Sequence, residues 1–211
     1  VIGDEIDDST VALQRGFDWI CTDRQVVGVD TIVEFLLRRG RANPNCKSLN
    51  DVYAVVEGDT ILHMAAKRNR PNVLRVLLKY GADVETQNSV GETVLCVEPD
   101  NASCFSLETL RVVLEYAGGT SIINTADKDG ITPLHLATTQ RNHVIVDLLL
   151  ENGANPIARD KEGRSPVVNS LEDGFHCVSF ILLRAGAWMS LPGIGDPIGF
   201  EANACDEEDS L

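Results

Sequence analysis

Pairs of apolar residues recur along this chain at a spacing that fits one face of a helix. Ile145, Val146, Leu149 and Leu150 fall at i, i+1, i+4 and i+5; Val73, Leu74, Leu77 and Leu78 repeat the arrangement, and Ile32, Val33, Leu36 and Leu37 repeat it again. Each set makes one apolar stripe on an α-helix. Gly40, Gly81 and Gly153 follow the stripes, where a left-handed residue closes the last turn. Ahead of the stripe at 145–150 the sequence predicts a first helix. Thr132 suits its N-cap, because the hydroxyl accepts a backbone N–H, and Pro133 suits its first position, where no N–H is needed.

These helix pairs are periodic. Gly130-Ile131-Thr132-Pro133-Leu134-His135 aligns with Gly58-Asp59-Thr60-Ile61-Leu62-His63, with Gly91-Glu92-Thr93-Val94-Leu95 and with Gly163-Arg164-Ser165-Pro166-Val167. The leading glycines stand at 58, 91, 130 and 163, in steps of 33, 39 and 33. Twenty-three residues after three of them come Gly81-Ala82-Asp83, Gly153-Ala154-Asn155 and Gly186-Ala187-Trp188. A unit that cannot bury its apolar face alone must stack on its neighbours, so the period predicts a solenoid.

The order Gly-x-Thr-Pro-Leu-His, apolar helix, then Leu-Leu-x-x-Gly-Ala-Asn on this period resembles the ankyrin repeat. Residues 127–159 fit it position by position, and the resemblance extends over roughly 30–188. It implies an all-α solenoid of about five helix-turn-helix repeats, joined by β-turn finger loops, with divergent terminal repeats. Residues 57–87, 88–126, 127–159 and 160–188 are the expected repeats. Residues 1–56 are an acidic N-terminal segment with a divergent capping repeat and an insertion, and 189–211 an acidic tail containing Pro and Gly. The resemblance also implies that the rings of His63 and His135 hydrogen-bond neighbouring turn backbone. It places Asn124 where family members can carry hydroxylated asparagine, although a turn-bracing role is the simpler reading.

Departures from the pattern are concentrated in two places. In the repeat at 88–126, Pro99 stands where a small helical residue is expected, so the first helix should end early, with Ser106-Leu107-Glu108 starting a second one through about Tyr116. Its six extra residues divide between 100–106 and the Gly118-Gly119 loop. In the first repeat a helix over Asp18–Val27 is expected, then a second from Thr31 to Arg39, and an eight-residue insertion within Cys46–Val55.

Composition narrows the function. Aromatics are 5% of the chain, so its core is built from aliphatic residues. The net charge of −14 disfavours nucleic-acid backbones. Four of the negative charges lie in Asp4, Glu5, Asp7 and Asp8, and five in Glu201, Asp206, Glu207, Glu208 and Asp209, which leaves five for residues 9–200. The ends read as solvated tails, and Asp209-Ser210-Leu211 as a weak carboxylate-capture motif. The cysteines at 21, 46, 96, 104, 177 and 205 form no CxxC pair and read as free thiols in a reducing compartment, cytoplasmic or nuclear. No apolar run is long enough to span a membrane and no signal peptide opens the chain. The start at Val1 rather than Met reads as a fragment of a longer protein.

No phosphate-binding loop, metal-ligand spacing or local nucleophile constellation is present, so neither catalysis nor a cofactor is expected. His143 and His176 stand at equivalent starts of second helices and read as surface residues. The expected function is recognition of another protein or peptide by a monomeric scaffold or adaptor, acting for example in degradation or in membrane trafficking. A regulator that sequesters a transcription factor, similar to the inhibitor-of-NF-κB type, and a targeting module of a larger enzyme are the alternatives. By the resemblance, the finger tips that would contact a partner are Glu57, Asp59, Val90, Glu92, Lys128, Asp129, Ile131, Arg159, Lys161, Glu162 and Arg164. The exposed inner-helix positions are Lys67, Arg68, Thr139, Gln140, Glu172 and Asp173. Seven of these are acidic and six basic, so the face is nearly neutral despite the acidic chain. Val90 and Ile131 are its apolar members and the expected hot spots, and a partner is expected across repeats two to five.

Overall fold

The computed structural model describes residues 10–13, 28–39, 41–47, 56–99, 106–118 and 121–190. The helix expected over Asp18–Val27, most of the insertion, Gly40, Cys21, Cys104, Cys205 and both acidic ends lie outside these residues. The helices that carry the packing are α1 (Val29–Arg39), α2 (Ile61–Lys67), α3 (Pro71–Lys79), α4 (Leu107–Ala117), α5 (Pro133–Thr139), α6 (His143–Glu151), α7 (Pro166–Glu172) and α8 (His176–Arg184). The chain divides into two compact units, Val1–Asp129 and Gly130–Leu211.

In the first unit α3 packs against α1, α2 and α4. The stripe seen in the sequence is its core: Val73, Leu74, Leu77 and Leu78 are all buried. α2 is so short and enclosed that all seven of its residues are buried. In the second unit α5 packs on α6 and α7, α7 on α8, and α6 on α8. Leu134, Ile145, Val146, Leu149, Val167 and Leu182 are no more than 3% exposed there. The helix caps follow the sequence. Thr132 Oγ1 accepts the His135 N–H at 3.4 Å, Pro133 opens α5, and Gly153 follows α6 with φ +88°.

The segment after Thr93 corrects one expectation. In place of a shortened helix, residues 94–96 make a hydrogen-bonded turn, closed by the Cys96 N–H on the Thr93 carbonyl at 2.9 Å, and no helix forms. Pro99 supplies no N–H and pushes the residue before it out of the α region, so two helical turns do not fit. Burial survives without the helix, since Val94, Leu95, Cys96 and Val97 are at most 4% exposed. α4 then starts as expected, with Ser106 Oγ accepting the Thr109 N–H at 3.1 Å, and ends on left-handed Gly118.

Two of the periodic glycines owe their identity to a close approach. Gly91 has φ +85°, and a Cβ there would lie 2.8 Å from the Lys128 nitrogen; at Gly130, with φ +78°, it would lie 2.9 Å from Asp160 Cα. Any other residue would be strained and would separate adjacent turns.

Candidate functional site

The loops preceding the short helices are joined to one another by their backbones. In the first unit the Ser89 N–H donates to the Glu57 carbonyl at 2.8 Å, and the Lys128 N–H to the Val90 carbonyl at 2.9 Å. Each loop is also closed on itself. Asn88 N–H bonds the Glu92 carbonyl in one unit, and Asp160 N–H bonds the Arg164 carbonyl in the other. The side chains at these two turn positions act alike. Asn88 Oδ1 accepts from Val90 N–H and Glu92 N–H, and Asp160 Oδ1 accepts from Glu162 N–H and Arg164 N–H. Both residues are buried, so each turn is built around an internal polar anchor.

Two histidines, His63 and His135, each tie one loop to the next. The Thr60 N–H donates to His63 Nδ1 at 3.1 Å, which leaves Nε2–H to donate to the Glu92 carbonyl at 3.0 Å. His135 repeats this with Thr132 at 3.2 Å and the Arg164 carbonyl at 3.3 Å. Burial depresses the His63 pKa below its ordinary value, in keeping with a neutral ring that accepts on one side and donates on the other. This is the role implied by the resemblance.

The candidate contact residues do not share one environment. Glu57, Val90, Lys128, Asp129, Thr139, Arg159, Lys161, Glu162, Glu172 and Asp173 are exposed; Arg68, Glu92, Ile131, Gln140 and Arg164 are partly covered. Asp59 and Lys67 correct the expectation of an exposed tip and an exposed inner-helix residue. Asp59 is 0% and Lys67 8% exposed, and they form an ion pair at 2.7 Å. Asp59 also accepts from the Val56 N–H at 3.1 Å and from Asn88 Nδ2 at 2.8 Å. The same Asn88 amide reaches Glu92 Oε2 at 2.7 Å. Asn88, which the repeat motif does not single out, is therefore the centre of this network; its signal was its place two residues before a tip valine and four before Glu92.

Electrostatics follow from the geometry. Burial raises the Glu92 carboxyl above its ordinary value, against the opposing Asn88 hydrogen bond and the Lys67 charge. At Asp160 burial also pushes upward, but the Arg164 backbone N–H and guanidinium outweigh it and hold the carboxyl below its ordinary range. Arg164 is thereby engaged with Asp160 and with Glu162. Cys46 and Cys96 are buried free thiols, pushed up to about 12 by burial, which suppresses thiolate chemistry. His143 and His176 are exposed, as expected, and Asn124 is exposed at the end of a 3-10 turn over Ser121–Asn124. Among the described residues no helix is long and apolar enough to cross a membrane, and no three His, Cys, Asp or Glu side chains converge as a metal site.

Comparison with known sequences agrees with this architecture. The family model described as Ankyrin repeat matches residues 129–161, and that described as Ankyrin repeats (3 copies) matches 25–97, together about half of the chain. Human B-cell lymphoma 3 protein is 36% identical over 118 residues, covering 54% of this chain and 25% of that protein. Human Ankyrin repeat and SOCS box protein 6 is 30% identical over 166 residues, 74% of this chain and 34% of that protein. The Caenorhabditis elegans homolog of Transient receptor potential cation channel subfamily A member 1 is 31% identical over 134 residues, 64% of this chain and 10% of that protein. The chain thus spans about a third or less of the length of each of these relatives.

Proposed function

Because the chain belongs to the ankyrin-repeat family, whose repeats are generally protein-interaction modules, we propose that it binds another protein through the exposed tips of its finger loops and the open ends of α5 and α7. One observation carries this reading. The turn anchors Asn88 and Asp160 hold the same backbone in two repeats, while the tips they present differ: Val90 in one, Lys161 and Glu162 in the other. A backbone fixed from within leaves the tip free to vary with the partner and lowers the ordering cost of binding. Asp59 and Lys67 drop out of the proposed contact set, because each already holds the other in the interior. Of its apolar members, Val90 is 42% exposed and Ile131 is partly covered. Buried free thiols at Cys46 and Cys96 favour a reducing compartment, cytoplasmic or nuclear, for this activity.

The test uses a partner first captured with the wild-type chain and then measured in purified form. Val90→Asp and Lys161→Glu, each at an exposed tip, are expected to weaken binding at least tenfold, equivalent to about 1.4 kcal/mol. Asp147→Arg, exposed on α6, is expected to leave affinity unchanged. Tight binding by both tip variants together with loss in Asp147→Arg would place the contact face elsewhere. Ile131→Asp and Arg164→Glu are poorer probes, since Ile131 is partly buried and Arg164 is ion-paired within its own loop.

A further inference from the structure

At the end of the helix pairs opposite the finger loops, the second unit carries a recess of different chemistry. Its volume is about 240 Å³, and Arg141, His143, Phe175, His176 and Cys177 line it. Arg141 and Gly174 occupy equivalent places in the two turns that connect α5 to α6 and α7 to α8. Both are left-handed, with φ 56° and 74°. Glycine takes this conformation readily, as does Asn69, with φ 53°, at the matching turn of the first unit; arginine is disfavoured there. The side chain is nevertheless held in place, its guanidinium carbon 4.0 Å from the centroid of the Phe175 ring.

No carboxylate lines this recess. Among the described residues none of Arg141, His143 and His176 is ion-paired, whereas Lys67, Arg75, Lys79 and Arg164 each meet an acidic side chain. The recess thus holds an arginine without an internal counter-ion beside two imidazoles, on a chain of net charge −14. We propose that this recess is an oxyanion site that takes a phosphate monoester, with Arg141, His143 and His176 as its donors. Three donor side chains match the three acceptor oxygens of a phosphate group, whereas a carboxylate is satisfied by the planar guanidinium alone. The volume lies below the roughly 300 Å³ at which sites for whole small molecules begin, so the occupant is of side-chain size. Free phosphate and a phosphorylated side chain share this chemistry. The site lies apart from the fingers and does not depend on their use.

The experiment is an amide NMR titration of the full chain with inorganic phosphate, with O-phosphoserine, and with serine, acetate and chloride at matched ionic strength. Saturable shifts are expected at residues 141–145 and 174–178 with phosphate and O-phosphoserine, and not with the other three. Stronger binding of O-phosphoserine than of phosphate would identify a phosphorylated side chain as the occupant, and the reverse would identify the free ion. Arg141→Asn, which suits the left-handed turn and removes the guanidinium, and the double variant His143→Gln with His176→Gln should each weaken phosphate at least tenfold. Arg184→Gln, the same charge change at the other end of α8, should bind as the wild type does. Equal shifts with acetate or chloride, or unchanged phosphate binding in Arg141→Asn with a native spectrum, would overturn the assignment.

Discussion

The repeats that begin at Gly58 and Gly130 share one backbone and fill it with different chemistry. Both place a threonine at the N-cap, bring a histidine ring back onto it and send the other ring nitrogen to the carbonyl of the following loop. Beside that common frame, the first repeat buries an ion pair, Asp59 with Lys67, where the second has Ile131 and Thr139 at the matching positions. The loop anchors differ in the same way. Asn88 uses its amide to bridge Asp59 and Glu92, while Asp160 is satisfied by Arg164. Motif positions dictate geometry because the same backbone and histidine bonds recur in these two repeats. Positions outside the motif are decided by whichever neighbour the stack supplies, so equivalent places can be buried in one repeat and exposed in another.

The sharpest way to break this comparison is to remove one partner of the buried pair. Lys67→Met leaves the Asp59 carboxylate buried without its cation and is expected to cost about 3–5 kcal/mol in denaturant unfolding. Thr139→Met, at the matching exposed position, is expected to stay within about 0.5 kcal/mol. A cost below about 1 kcal/mol for Lys67→Met would mean that the pair contributes nothing beyond its surroundings. The apolar framework should behave alike in both repeats. Leu77 and Leu149 occupy corresponding places and are 0% and 1% exposed, so each Leu→Ala change is expected to cost about 2–5 kcal/mol. If one were nearly silent, burial of that stripe would be contradicted.

Loss of the cap in Thr132→Ala is expected to lower stability by about 1 kcal/mol, measured in the same way. Hydrogen exchange provides a local contrast. Residues 94–97, held by a turn bond after Thr93, should exchange faster than 133–139, which form a capped helix; equal protection would show that apolar burial alone suffices there. The smallest effects are those of pH. His63 is depressed by burial, so the unfolded chain takes up a proton that the folded chain resists, and stability is expected to fall as pH drops through about 6.5. Glu92 is raised, so its ionisation works against the fold as pH rises above the ordinary glutamate range of about 4.3. Glu92→Gln should therefore stabilise slightly at neutral pH and lose that advantage in acid. A variant less stable at pH 7 than at pH 4, relative to wild type, would reverse this sign.

Helix identity in the regular repeats was legible in the residues. The stripe at 73–78 is core, as are Ile145, Val146 and Leu149 of the stripe at 145–150, whose Leu150 is only partly covered; the Thr132-Pro133 start is a capped helix, and Ser106 opens α4. Pro99 correctly marked the irregular repeat, but its effect went further than a shortened helix. Among the contact candidates, exposure at Val90, Lys128, Lys161 and Glu162 matched expectation, while Asp59 and Lys67 did not. A charged residue beside a motif glycine looks like a surface residue unless its counter-charge, eight positions later, is known to lie against it.

Local rules of the chain determined where helices start and stop, because caps, prolines, glycines and apolar periodicity act within a few residues. They also set the local half of the histidine role, the bond to the threonine three positions earlier, while the carbonyl on the other ring nitrogen, 29 residues away, comes from the next repeat. Tertiary structure alone decided which charges are satisfied internally and which face solvent. Asn88 meets Asp59 and Arg141 lies over the Phe175 ring only once separate repeats are stacked. Burial and electrostatic pairing depend on groups distant in sequence, and a one-dimensional pattern does not record which of them come within reach.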